Sequence, residues 1–180
     1  MNTTAKLGLK SDKADSRVQT QCAVIRVDST PSSSSSASIL MGTLNQSAGS
    51  AVYIDENPFI RRQFRPTISI TGEKSATGLA NKWLFVGFSE NGTASGMIST
   101  VLVGGDSPSI VTKDYAQAKT VSTNYVSVGP IDYSASTGGT AVKLDVAEYI
   151  VYDKALSPSQ LLAVYIRSKT RLANRGFMIE

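Results

Sequence analysis

Reactive side chains are few in this sequence, and their spacing narrows the chemistry open to them. The chain of 180 residues has no histidine and one cysteine, so the usual imidazole general base and the commonest metal ligand are missing. Cys22 lies in an apolar run and reads as a small buried core residue without a disulfide partner. Acid–base hydrolysis of a glycosidic bond would need two facing carboxylates, about 5 Å apart in the retaining mechanism. Asp145 and Glu148, in LDVAEYIVY, are three residues apart, a spacing that sends them to opposite faces of a regular strand. Glu148 shares parity with Leu144 and Val146 and is expected as an inward carboxylate held by hydrogen bonds. The chain is therefore read as not an enzyme, with no catalytic residues.

Binding has more to work with. A sugar site needs aromatic faces and converging polar groups. Tyr115, Asn124, Tyr125, Asp132 and Tyr133, with Asp106 and Asp114 near them, lie in or beside two polar stretches and form the candidate glycan-binding set. Each tyrosine can equally be sandwich packing and each acid a turn residue, and Trp83, beside Leu84, Phe85 and Val86, reads as core. Glu56 to Pro66 (ENPFIRRQFRP) reads as a loop in which Phe59, Arg61, Arg62, Phe64 and Arg65 form a candidate protein interface, since Arg and Phe are enriched there; a solvated loop is the plainer alternative. The net charge of +4 is mild, and the cations are too scattered for the basic face that nucleic acid requires. No nucleic-acid partner is expected. The acids show no EF-hand spacing, so no cofactor is expected and calcium is the one ion left open.

The elements that must hold these residues are mostly strands. Hydrophobic residues make up 41% and charged residues 18% of the chain, and helix-forming runs are almost absent before residue 157, which together favour a β sandwich or barrel. A short edge strand is expected at Ala5 to Lys10, then a charged turn over Ser11 to Arg17. Gln19 to Asp28, Ser38 to Gly42, Ser50 to Asp55, Thr67 to Thr71, Lys82 to Ser89, Met97 to Val103 and Thr120 to Val128 read as strands, with a hairpin turn around Asn91-Gly92. Pro31 with Ser32 to Ser36, Gly104 to Lys119 and Gly129 to Thr140 read as loops. The last strand runs from Val142 to Tyr152. After it, Ser157, Pro158 and Gln160 offer an N-cap, a proline at the first helical position and a capping box, and Leu161, Val164, Tyr165 and Leu172 recur at helical spacing. About nine strands and one C-terminal helix fit an all-β, two-sheet antiparallel jelly-roll sandwich.

Five segments carry a family resemblance: QCAVIRVDST from Gln21, SILMG from Ser38, NKWLFVGFSENGT from Asn81, VSVG from Val126, and LDVAEYIVYDKALSPSQLLAVYIRSK from Leu144. Over Val18 to Leu172 their order resembles the concanavalin A-like, laminin-G-type jelly-roll superfamily in its small bacterial and bacteriophage version. The resemblance implies one domain over residues 1–180, with a core of about 18–172, a short arm before it and a tail at 173–180. The Glu-x-Asp-x-Glu strand of the family's glucanases is absent. Two functions are then open. One is a non-catalytic recognition or adhesion module of a phage virion, gripping a cell-surface glycan. The other is a structural virion component, such as a capsid decoration protein or a tail adaptor, in which Phe59, Phe64 and Phe177 to Ile179 contact other proteins. Either implies a homo-oligomer or a larger assembly. No apolar run approaches the roughly 20 residues of a membrane span, and the start lacks a signal peptide's apolar centre; synthesis in the host cytoplasm without membrane insertion is expected.

Overall fold

The computed structural model describes residues 8–30, 38–55, 59–66, 71–75, 77–129 and 143–180. Among these lie eleven strands: β1 (Leu9–Ala14), β2 (Val18–Val27), β3 (Ser38–Gly42), β4 (Ser50–Ile54), β5 (Phe59–Phe64), β6 (Thr71–Ser75), β7 (Trp83–Gly92), β8 (Met97–Val103), β9 (Ser109–Tyr115), β10 (Tyr125–Val128) and β11 (Leu144–Tyr152). A single helix, α1 (Pro158–Ala173), follows. The strands form two antiparallel sheets, ordered β1-β10-β3-β4-β5-β6 and β11-β2-β7-β8-β9. Alternation explains the layering. Ala23, Ile25, Leu84, Val86, Val101 and Val103 point from the five-stranded sheet toward Leu40, Val52, Ile54 and Ile60 of the other, the arrangement of a jelly-roll sandwich.

The opposite face of the five-stranded sheet is partly roofed by α1. Ser157 accepts a hydrogen bond from the Gln160 amide (3.3 Å) while the Ser157 amide donates to Gln160 Oε1 (2.9 Å), completing the capping box. Leu161, Val164, Tyr165 and Leu172 then pack on Cys22, Val24, Phe85 and Leu102. This close approach needs bare backbone beneath: a Cβ on Gly104 would lie 2.5 Å from the Tyr165 ring, and one on Gly87 would lie 3.0 Å from Leu161. Beyond the helix, Ile179 bridges back to Trp83, whose indole meets Phe177 edge-on at 5.2 Å. Phe177 and buried Ile179 are thus engaged within the chain, and Trp83 belongs to this outer core rather than to the sandwich interior.

Several expected elements shift. Glu56 to Pro66 is not a loop over its described part, because Ile60, Arg62 and Phe64 alternate inward and make β5. Gly104 to Lys119 contains β9, and strand structure in Thr120 to Val128 begins only at Tyr125. The first strand lies over Leu9–Ala14, at the edge of its sheet, where a turn is expected from Ser11. Asn91-Gly92 ends β7, while the chain reverses at Thr93 to Gly96, where the Thr93 amide donates to Gly96 O at 2.9 Å and Thr93 Oγ1 accepts from two amides. Of Thr67 to Thr71 only Thr71 is described, and it opens β6. Pro31 with its serine run and all of Gly129 to Thr140 but Gly129 fall outside the described residues.

One correction bears on chemistry. In β11, Val146 pairs with Ile25 and Glu148 with Val24, so Ala147 forms a bulge. Two residues facing one reverse the alternation beyond that point. Glu148 therefore faces the helix, not the sandwich interior, and shares a face with Asp145 instead of opposing it. Each acid is tied to an arginine, Glu148 to Arg171 and Asp145 to Arg26 at 2.8 Å.

Candidate functional site

The described members of the glycan-binding set sit at one end of the sandwich but do not converge. Tyr115 ends β9 with its ring edge-on to Phe64 at 4.8 Å, and the Arg62 guanidinium carbon lies 5.2 Å and 5.6 Å from the two ring centres. Asn124 braces a turn, its amide donating to Ser122 Oγ (3.0 Å) and its side chain to Thr43 O (3.3 Å). Tyr125 is 43% exposed beneath Lys10. It stands on β10, three strand positions from β5, where Tyr115 packs, a separation of roughly 14 Å. Asp132 and Tyr133 lie outside the described residues.

The interface set also divides. Phe59 is exposed with Arg61 stacked on it, Arg61 pairs with Asp55, and Arg65 is half-buried. Arg62 and Phe64 are each 1% exposed; β5 turns them inward, which removes both from any surface contact. Among the described residues no acidic or cysteine cluster could hold a metal ion, and no helix is long and apolar enough to cross a membrane.

Arg62 belongs to a feature absent from the sequence reading. On β2, β7 and β8 the inward face turns polar toward this end at Gln19, Glu90 and Ser99, which stand opposite one another. Glu90 receives Arg62 Nη2 on one oxygen (2.9 Å) and Lys119 Nζ (2.7 Å) and Gln19 Nε2 (2.9 Å) on the other. Lys119 also reaches Asp15 at 2.8 Å, and the Ser122 amide donates to that same carboxylate at 2.8 Å. Two cations and two anions are thus sealed together, Lys119 and Glu90 at 0% exposure. Burial pushes the Glu90 carboxyl up, but the Lys119 and Arg62 charges and the donated hydrogen bonds outweigh it and hold the group at about 2. Parity was the available signal: Glu90 continues the inward series Leu84, Val86, Phe88. The network locks the segment between β9 and β10 across the sandwich end, with its ion pairs closed off from solvent.

An open site lies on the outer face of the five-stranded sheet, beside the start of α1. Cross-strand pairing puts Thr20, Ser89, Thr100 and Thr112 opposite one another on four successive strands. Ser89 Oγ lies 3.1 Å from Thr20 Oγ1, and the Thr100 and Thr112 hydroxyls are 2.9 Å apart. The next row toward the sheet end is Asn91, Ile98 and Asp114. The preceding row, Cys22, Gly87, Leu102 and Ile110, lies under the helix. Ser89, Asn91, Ile98, Thr100 and Thr112 floor a groove of about 260 Å³, walled by Ala155 to Pro158 and Gln160. No lining residue is charged or aromatic. Sequence reading passed over this groove because its residues are ordinary outward Ser, Thr and Asn of strands, distinguished only once register aligns them. Chemically it offers neutral donors and acceptors, with no carboxylate among the lining residues to activate a hydroxyl.

No family model matches the sequence, and no curated protein matches it. Among solved structures, the CBM40 module of the Ruminococcus gnavus IT-sialidase, solved alone and with sialyllactose, superposes with TM-scores of 0.58 and 0.57 at 16% identity, covering 88% of this chain and 96% of the module. The binding domain of Botulinum neurotoxin serotype D gives 0.55 at 15% identity over 91% of this chain and 39% of that one. A heptameric SAP-like pentraxin from Limulus polyphemus gives 0.55 at 14% identity over 91% and 77%. Together with the two antiparallel sheets and the closing helix, these likenesses show the fold to be an antiparallel jelly-roll sandwich.

Proposed function

We propose that the chain is a non-catalytic carbohydrate-recognition module that binds a saccharide in the groove over Ser89, Thr100 and Thr112. The hydroxyl row carries this reading. A Ser or Thr hydroxyl both donates and accepts, so an ordered array of them is complementary to sugar hydroxyls, while a groove without charge has little to offer an ionic partner. The likeness to a module solved with sialyllactose supports the same direction. Absence of chemistry is part of the proposal and is supported by Asp145 and Glu148 each being tied to an arginine. The setting is proposed as a phage virion that meets a cell-surface glycan, with the module held in a homo-oligomer or larger particle. This rests on the resemblance of the closing segment from Leu144. Tyr125 and Asn124 are proposed as a second, peripheral sugar contact.

A glycan array probed with the intact protein and with Thr100→Val tests the reading. Wild type should retain a saccharide and the variant should bind it roughly two- to tenfold more weakly, the value of one lost neutral hydrogen bond. Failure of the wild type to retain any saccharide, or equal binding by the two proteins, refutes it. The alternative of a purely structural virion protein is favoured by one observation, Phe59 standing 37% exposed with Arg61 on its ring. It requires Phe59→Ser to weaken assembly with other virion proteins while leaving saccharide retention unchanged.

A further inference from the structure

We infer that the groove selects neutral sugars bearing an acetamido group; this rests on the carbohydrate reading above and sharpens it. Asn91 and Ile98 stand directly opposite each other on β7 and β8 and both line the groove. Such neighbours have Cβ atoms about 5 Å apart. Both side chains are exposed, Ile98 at 45%. An exposed isoleucine beside an exposed carboxamide is a poor surface for a sugar that presents only hydroxyls. It suits an acetamido group. The Asn91 side chain has donors and an acceptor to meet the acetamide N–H and C=O, and Ile98 covers its methyl. The hydroxyls of Ser89 and Thr100, one step along the same two strands, stand roughly 7 Å away, within the reach of one pyranose with its acetamido substituent.

Two further observations limit the class. No aromatic side chain lines the groove, so a ring face has nothing to stack on and selection falls on substituents. The lining carries no cation, and the residue beyond Ile98 in its row is the exposed Asp114. A carboxylated sugar, even one with an acetamido group, meets like charge there and finds no counter-ion. The inferred order is N-acetylhexosamines above the parent hexoses, and both above uronic or sialic acids.

The test is an amide chemical-shift titration of the full chain with N-acetylglucosamine, N-acetylgalactosamine, glucose, galactose and N-acetylneuraminic acid, on wild type, Ile98→Ser and Asn91→Ala. The acetamido hexoses should shift amides in the segments 89–92 and 98–100 with a Kd roughly tenfold below the parent hexoses, the low end of what one methyl-sized contact discriminates. Ile98→Ser, at an exposed position, should fold normally and bring the two sugar classes to near parity. Asn91→Ala checks the amide contact independently and should also weaken the acetamido hexoses. Hexoses that bind in the groove without acetamido preference overturn the inference and leave the carbohydrate reading standing; so does N-acetylneuraminic acid binding more tightly than the neutral sugars. If no sugar shifts a groove amide, both fall.

Discussion

Replacing Lys119 by methionine removes the cation that bridges Asp15 and Glu90 while keeping the unbranched apolar stem of the side chain. Lys119 Nζ lies 2.8 Å from Asp15 and 2.7 Å from Glu90, all three side chains at 0% exposure. Deleting one partner of a buried ion pair leaves its counter-charge uncompensated, at about 3–5 kcal/mol. The Glu90 carboxyl gives a consistent figure. It is held at about 2 against an ordinary 4.5, and at ~1.4 kcal/mol per unit this is worth about 3 kcal/mol. Part survives in the variant, because Arg62 and Gln19 still reach Glu90. Urea unfolding at pH 7 should show a loss of about 3 kcal/mol, a large fraction of the 5–15 kcal/mol typical of a domain. The pH dependence follows from the sign of the shift. A depressed carboxyl stabilises the folded state above the unfolded value of 4.5, and the gain is lost as pH falls toward about 2. Wild type should therefore lose stability between about pH 5 and pH 2. The variant, whose Glu90 carboxyl has lost a counter-charge and takes up a proton more readily, should fall less steeply, so that the difference narrows at low pH. A loss below ~1 kcal/mol at pH 7, or one equal at pH 7 and pH 3, would refute the claim that Lys119 acts through charge.

Two further substitutions probe how the helix is seated. Ser157→Ala removes the side-chain half of the capping box and should cost about 1 kcal/mol in urea unfolding, whereas Ser157→Asp should hold stability near wild type because aspartate also caps. Gly104→Ala places a Cβ 2.5 Å from the Tyr165 ring and 2.9 Å from Phe85 Cβ; thermal unfolding should show about 1–3 kcal/mol of destabilisation, only partly relieved by adding Tyr165→Leu. A Gly104→Ala protein as stable as wild type would mean that α1 sits further from the sheet than described.

What was legible in the sequence was what period alone can encode. β2, β3, β4, β7, β8 and β11 lie within about three residues of expectation because each alternates or is uniformly apolar, and α1 starts at Pro158 because Ser157, Pro158 and Gln160 each have a local role. β5 and β9 were missed for opposite reasons. In β5 the inward series holds an arginine, which reads as loop until its partner Glu90, 28 residues away, is known. In β9 the exposed Thr112 and Asp114 alternate with half-buried Val111, Lys113 and Tyr115, a contrast too weak to mark an edge strand. The orientation of Glu148 failed because one extra residue at Ala147 reverses the count, and register of that kind is settled by pairing rather than by composition. Aromatic residues were followed toward a sugar site, yet Tyr115 is held by Phe64 and Arg62.

The place of the groove follows from the place of the helix. A five-stranded sheet has one outer face, and α1 with the segment before it covers part of it: in the hydroxyl row Thr20, Ser89 and Thr100 are buried and Thr112 is exposed. The row through Cys22, Gly87, Leu102 and Ile110 is apolar or bare and lies under the helix, and the next row, through Thr20, Ser89, Thr100 and Thr112, is hydroxylic throughout. The change falls where Ser157 and Pro158 begin α1, since the segment before them forms the groove wall and Thr20 Oγ1 both donates to Lys154 O (2.8 Å) and accepts from the Leu156 amide (3.0 Å). The hydroxyl of Thr20 thus ties the wall to the floor. Thr20→Val, which deletes these bonds at a buried site while keeping the shape, should loosen the wall and weaken saccharide retention although Thr20 is not among the lining residues. The same change should leave α1 helical, because its cap is made by Ser157 and Gln160. Undiminished retention by Thr20→Val would show that the floor alone, without the 155–160 wall, makes the site.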